Sequence, residues 1–380
     1  MIEIYCTRCG RAQDKYTEWR CPCGGPFEIH NETPFECDNI LLRDHTIWRY
    51  RKILPPIEPK SIVSLGEGMT PLVPLETSPA RIYAKLEYVS PTGSLKDRGV
   101  TVMVSNMKEE GVKKAIEDSS GNAGASVAAY CARAAIGCEI FVPEKVRVGK
   151  ATQIVAYGAT LRKIPGGREA ATAAARNVAA HTFYASHHWN PFYLQGKETM
   201  AYEIVEQLEW NAPDYVFIPV GSGSTFYGAI KGFTKLISVN IIDSYPTLIG
   251  VQSDQCAPLY SALTGSPFDV KAPINTIADG ISVRTPARLD DIVKAVKQPK
   301  AEVDLVSDPE IIDSLKTLGG KGFFVEPTSA VVYAAWQKRL KKGQIDAEDC
   351  VVLVLTGIGL KTIDTMVPIF PMSSHKASSS

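Results

Sequence analysis

What most constrains this chain is a unit that recurs along it: a short apolar run, a turn rich in Gly, Ser or Asn, then good helix formers. Tyr215-Val216-Phe217-Ile218-Pro219-Val220 leads into Gly221-Ser222-Gly223-Ser224-Thr225 and a helix to about Leu236. Lys114-Ala115-Ile116-Glu117-Asp118 leads into Ser119-Ser120-Gly121-Asn122-Ala123-Gly124 and an Ala-rich helix from Ala125 to Ile136. Ile82 to Glu87, apolar at alternate positions, is broken by Pro91, Thr92 and Gly93. Ser94-Leu95-Lys96-Asp97-Arg98-Gly99 follows and opens onto the apolar run Val100 to Val104, the start of a helix. Further strands are predicted at 138–143, 161–164, 248–252 and 351–355, and further helices at 151–157, 169–180, 197–208 and 328–340. Residues 31–60, rich in Pro and charge, read as a connector. Such alternation predicts an α/β fold with mostly parallel sheets and ligands at the carboxyl ends of the strands.

Lys plus Arg and Asp plus Glu are 41 each among 380 residues. With no net charge there is no field to draw in nucleic acid or an anionic membrane, so neither is an expected partner. No apolar run reaches the roughly 18 residues that span a bilayer. The first residues lack a basic stretch followed by an apolar one, so no secretory leader is expected, and the cytoplasm is the expected compartment. Of the nine cysteines, four fall in the first 23 residues. In that setting they favour metal or free thiols over disulfides. Cys6-Thr7-Arg8-Cys9 and Cys21-Pro22-Cys23 bring four thiolates on short turns, a set suited to one structural zinc. The second pair is a tight C-x-C, so a degenerate ribbon that folds without metal is the alternative. Cys37 is a substitute ligand.

Lys96 sits where a strand gives way to a helix. A lysine there is either solvated or a Schiff-base lysine held and desolvated by a rigid frame. Gly221 to Thr225 offers bare backbone N–H groups at a helix start, suited to a phosphate. No lysine follows it, and Phe226 stands where a dinucleotide loop has its third Gly, so a tight packing turn competes with that reading. Ser119 to Gly124 can offer N–H groups to a carboxylate. Thr356-Gly357-Ile358-Gly359-Leu360-Lys361 is a third such turn, with Thr356 directly after a buried strand.

Read jointly, these stretches resemble the pyridoxal-phosphate enzymes of fold type II (the tryptophan synthase β-like fold), and within them the threonine synthases. The matching residues are Pro91 to Gly99, Ser119 to Asn122, Gly221 to Thr225, Glu326-Pro327-Thr328-Ser329-Ala330 and Thr356 to Lys361, in family order. Ser64 to Leu72 looks like a segment near the start of these enzymes, and the Cys-rich start like the ribbon many carry. The resemblance implies a zinc-ribbon-like segment over 1–38, a large cofactor-binding domain from 39–90 and 190–370, a small α/β domain at 91–189, and a disordered tail at 371–380. It implies a homodimer acting on a small amino acid. Lys96 would carry the cofactor and move protons. Asn122 would bond the phenolic oxygen, and Gly221, Ser222, Gly223, Ser224 and Thr225 the phosphate. Thr356 would face the pyridine nitrogen, and Ser119, Ser120 and Gly121 would hold the substrate carboxylate.

One position departs from the family. An Arg shortly after an Asn-Pro pair helps threonine synthases bind the phosphate of O-phosphohomoserine. Here Asn190-Pro191-Phe192-Tyr193 places Tyr193 there. Tyr brings one hydrogen bond and no charge, where Arg grips a phosphate with two. Arg147, Arg168, Arg284 and His188 are candidate replacements, while His187 and His188 could instead pack beside Trp189. The leading expectation is threonine synthesis from O-phosphohomoserine and water. The alternatives are serine/threonine dehydratase-like β-elimination or β-replacement, and a catalytically silent amino-acid-binding protein, against which the intact Lys96 argues.

Overall fold

The structure, a computed structural model, describes residues 2–75, 81–145, 148–297 and 301–371. The tail after Pro371 and the candidate Arg147 lie outside them. In chain order the elements are β1 (Glu3–Cys6), β2 (Phe27–His30), β3 (Leu72–Pro74), β4 (Arg81–Leu86), α1 (Lys96–Glu109), β5 (Lys114–Glu117), α2 (Asn122–Arg133) and β6 (Gly137–Pro143). Next come α3 (Val148–Ala156), β7 (Thr160–Ile164), α4 (Arg168–Val178), β8 (Phe183–Tyr184), α5 (Pro191–Gln207), β9 (Tyr215–Pro219) and α6 (Ser224–Ser238). The chain ends with β10 (Thr247–Ser253), α7 (Pro258–Thr264), α8 (Leu289–Val296), β11 (Ala301–Val306), α9 (Asp308–Gly320), α10 (Pro327–Lys341), β12 (Cys350–Leu355) and α11 (Ile363–Met366).

Among the described residues, one sheet has the order β11-β10-β9-β12-β4-β3, parallel throughout except for β3. A second, all parallel, has the order β7-β6-β5-β8. β1 and β2 form a separate antiparallel ribbon. All of β12 is buried, as a central parallel strand must be. Its alternate side chains serve two cores. Val352 and Val354 join Val216 and Ile218 beneath α5 and α6, while Leu353 and Leu355 join Phe217 and Ile249 beneath α9 and α10. No helix among the described residues is long and apolar enough to cross a membrane.

Several expectations need correcting. Helix α5 begins at Pro191, not Lys197, because the Asn190 side chain accepts the Tyr193 N–H at 3.1 Å and Pro fits the first helical turn. Helix α2 begins at Asn122 and ends at Arg133, three residues early at each end of the expected range. Neither β11 nor α9 was foreseen. β11 is an edge strand whose charged residues blur the apolar pattern, whereas α9 does carry a legible capping box between Ser307 and Glu310.

Candidate active site

Strands β4, β9 and β12 run parallel, so their carboxyl ends face the same way. Lys96, the first residue of α1, lies just beyond the end of β4. Its turn is stitched to the chain leaving β12. The Leu95 N–H donates to the Thr356 carbonyl at 2.9 Å, and the Ile358 N–H donates to the Gly93 carbonyl at 3.1 Å. On the other side Asp97, fully buried, accepts from the Thr92 N–H at 2.8 Å and from the hydroxyls of Thr92 and Ser126 at 2.6 Å each. Arg98, also fully buried, spans Glu87 and Glu203 with four charge-assisted bonds of 2.6–2.9 Å. Lys85 reaches Glu203 as well, so two cations meet two carboxylates. Burial alone would raise Glu203's pKa; Arg98 and Lys85 reverse that and hold it far below the usual carboxylate range. Lys96 has a pKa lowered by burial, which Glu326 opposes and Arg168 reinforces. That favours the neutral, nucleophilic amine.

A cavity of about 270 Å³ opens at this point. It is lined by Lys96, by Ser119 to Asn122, by Gly221, Ser222, Gly223 and Thr225, and by Thr356. Of the candidate cofactor and substrate residues, Ser224 alone is not on its wall. Its hydroxyl is buried in the first turn of α6, 3.2 Å from that of Ser222. The loop before α6 holds Gly223 at φ +79, and a Cβ there would meet Ile292 Cδ1 at 2.3 Å, so only Gly fits. Thr356 is buried at the end of β12, its hydroxyl 3.1 Å from that of Ser329.

The wall also contains Arg168, one of the candidate replacements for the missing Arg, and residues to which the sequence argument gave no role. Glu326 accepts both contacts of the Asn122 amide nitrogen, at 3.0 and 3.1 Å. His187 lies 2.6 Å from Glu117 through Nδ1. Burial lowers the imidazole's pKa and raises the carboxyl's, which favours a neutral pair. Lys145 and Arg168 supply exposed cations, and among the described residues neither has a carboxylate within ion-pair distance. The sequence held a signal for Glu326, which heads one of the matched stretches. It offered Arg168 as a candidate without placing it and held no signal for Lys145; the two come from separate segments of the small sheet's layer.

Tyr193 is not on the wall. It is 1 % exposed, and its ring packs against Gly99. Arg284 is held elsewhere by Glu169 and the Ala272 carbonyl. His188 stacks edge-on against His187, with ring centroids 4.1 Å apart, and also stays off the wall.

The residues fit pyridoxal phosphate. Ser94 Oγ and Asn122 Oδ1 are buried polar atoms without a partner among the described residues, and both residues face the cavity. The bare loop at Gly221 to Gly223 suits a phosphate, Thr356 offers a hydroxyl, and Lys96 offers an amine. The four sulfurs of Cys6, Cys9, Cys21 and Cys23 lie within 4.8 Å of one another. A tetrahedral zinc with Zn–S bonds of about 2.3 Å needs sulfurs about 3.8 Å apart, so these fit too. A backbone N–H from Cys23, with Arg11 beside it, brings the Cys21 thiol down to about 6.

Residues 63–357 match the family model described as pyridoxal-phosphate dependent enzyme. The threonine synthase of Methanocaldococcus jannaschii is 36% identical over 95% of this chain and 93% of its own length. That of Bacillus sp. strain ULM1 is 37% identical over 84% of this chain and 90% of its own. Among solved structures, threonine deaminase isoform 2 of Solanum lycopersicum superposes with a TM-score of 0.70 at 21% identity, covering 90% of this chain and 96% of that one. An L-serine ammonia-lyase of Rhizomucor miehei does so at 0.69 and 21% identity, over 78% of this chain and 96% of that one. These two likenesses concern the fold. A lysine at a strand end, a bare phosphate loop and full-length relatives agree, and the chain belongs to the fold-type II pyridoxal-phosphate-dependent enzymes, in their threonine synthase family.

Proposed function

We propose that this protein is a threonine synthase, converting O-phosphohomoserine and water to threonine and phosphate. The observation that carries the reading is a single cavity that joins Lys96 and the loop residues Gly221, Ser222, Gly223 and Thr225 to two cations, Lys145 and Arg168, which have no carboxylate within ion-pair distance among the described residues. When bound, pyridoxal phosphate supplies an electron sink for a carbanion at the substrate's α-carbon. Lys96 Nζ, kept neutral by burial, takes and returns the protons at the substrate carbons. Backbone N–H groups at Ser119 to Gly121 hold the substrate carboxylate, and Asn122 the cofactor's phenolic oxygen. Gly221 to Thr225 hold the cofactor phosphate, with Ser224 acting from behind through Ser222. Thr356, a hydroxyl rather than a carboxylate, leaves the pyridine nitrogen unprotonated. Lys145 and Arg168 receive the leaving phosphate; Tyr193, off the wall, does not meet it. Purified holoenzyme given O-phosphohomoserine should release phosphate and threonine in equal amounts.

The second reading is β-elimination from unphosphorylated serine or threonine, in keeping with the fold shared with a threonine deaminase and an L-serine ammonia-lyase. Formation of 2-oxo acid from those amino acids, with no threonine from O-phosphohomoserine, would establish it. The Cys cluster is proposed to hold one structural zinc, which metal analysis of the purified chain tests; a content near zero would favour the degenerate ribbon. The cytoplasm and a homodimer are the proposed setting. All nine cysteines are unbridged, as a reducing compartment allows, and sedimentation would read the oligomeric state.

A further inference from the structure

Lys197 is a buried amine that the proposed reaction does not use. It is completely buried on α5, and among the described residues no carboxylate lies within ion-pair distance. Its Nζ donates to the carbonyl of Leu95, the residue immediately before Lys96, and sits 4.8 Å from the centre of the Tyr193 ring. The surroundings leave it little freedom. A Cβ on Gly228 would meet Lys197 Cβ at 2.5 Å, and one on Gly196 would meet the Arg98 carbonyl at 2.0 Å, so α6 and α1 both press on this turn of α5. Tyr193 and Lys197 are one helical turn apart, so the residue that departs from the family pattern lies beneath this amine.

We propose that Lys197 is a positioning residue for Lys96: it fixes the Leu95 carbonyl at the head of the lysine turn. A lysine in this place costs stability, because it buries an amine without a countercharge. Its pKa is lowered far below the ordinary value, first by burial and then by Lys96, whose charge it senses. Glu87 and Asp97 act in the opposite direction, and Arg98 with it. Two amines that repel in this way do not both hold a proton, and Lys197, the more strongly lowered, is the one that stays neutral and donates to Leu95 as an uncharged amine.

The proposal rests on Lys96 carrying the cofactor, which borohydride reduction and peptide mapping of the parent test separately. The experiment is a pH titration of the visible absorbance of the lysine-bound cofactor in Lys197→Met, with melting temperature and steady-state kinetics. Met keeps the length of the stem and removes the donor. The absorbance transition should stay in place, because a neutral amine takes no charge away with it. The kcat should fall roughly ten- to a hundred-fold, KM should hardly change because Lys197 does not line the cavity, and the melting temperature should stay level or rise. Lys197→Gln, which keeps a donor, should lose less kcat than Met, and it decides the matter if Met fails to fold. An unchanged kcat in Met, or a Gln variant that loses as much as Met, overturns the proposal, whether or not the melting temperature falls. Label on a lysine other than Lys96 overturns both this proposal and its premise; label on Lys96 with an unchanged kcat overturns this proposal alone.

Discussion

At the floor of the cavity, the groups next to Lys96 are held by several partners each: three donors on Asp97, four charge-assisted bonds from Arg98, two backbone ties between the lysine turn and the chain after β12. At the rim the bonding is sparse. Arg168 makes one long contact, 3.4 Å to the Ser282 carbonyl, and Lys145 is exposed. The floor positions a reactive atom, which needs a frame that does not give way. On the proposed reading the rim meets a substrate anion that arrives and leaves, which needs charge that is free to engage it. Substitutions on the floor should therefore act on the chemistry or the fold, and substitutions on the rim on substrate affinity.

The largest effect is expected at Lys96. Lys96→Ala should lower activity by about a thousand-fold or more and abolish the visible absorbance of the lysine-bound cofactor, with the melting temperature little changed. Assay, spectrum and thermal melt read the three outcomes; an intact visible band would contradict the assignment. Next is the frame itself. Arg98→Met leaves Glu87 and Glu203 buried with Lys85 as their one remaining partner cation in this network, and should cost about 3–5 kcal/mol in urea unfolding. A cost below about 1 kcal/mol would erase the contrast between floor and rim.

On the rim, Arg168→Ala should raise KM for O-phosphohomoserine by roughly ten- to a hundred-fold, the loss of one charge-assisted contact of about 1.5–3 kcal/mol, with the fold undisturbed. A larger effect on kcat than on KM would move Arg168 from the rim to the chemistry. The smallest effect concerns His188, between the two regions. Burial, then Arg168, brings its pKa down to about 4 from 6.5. A base with a folded pKa below its unfolded one supports the fold fully above the unfolded value and loses that support as pH falls from 6.5 towards 4. Between pH 7 and 5.5 the loss is roughly 1 kcal/mol. His188→Gln should flatten that part of the stability curve, as measured by chemical unfolding at the two pH values.

The floor was largely legible in the sequence. β12 and β9 are continuous apolar runs followed by Thr or Gly, a pattern that only a buried parallel strand and its turn explain well. The turns at Lys96, Asn122, Gly223 and Thr356 could thus be placed at strand ends before their meeting in space was known. The rim was not legible in the same way. Lys145, Arg168 and His187 follow β6, β7 and β8, and nothing in their local sequence separates them from ordinary surface or core residues. Tyr193 shows the limit from the other side. Its motif position suggested a place facing the substrate, but α5 begins at Pro191 and turns the ring against Gly99, towards Lys197. A helix start displaced by six residues from the expected one changes which face a side chain presents.

The most direct test is a single incubation of the holoenzyme with O-phosphohomoserine, followed for phosphate, threonine and 2-oxo acid, with serine and threonine as parallel substrates. The account predicts phosphate and threonine in equal amounts and little 2-oxo acid from any of the three. Rapid 2-oxo acid formation from serine or threonine, with no threonine formed from O-phosphohomoserine, would contradict it.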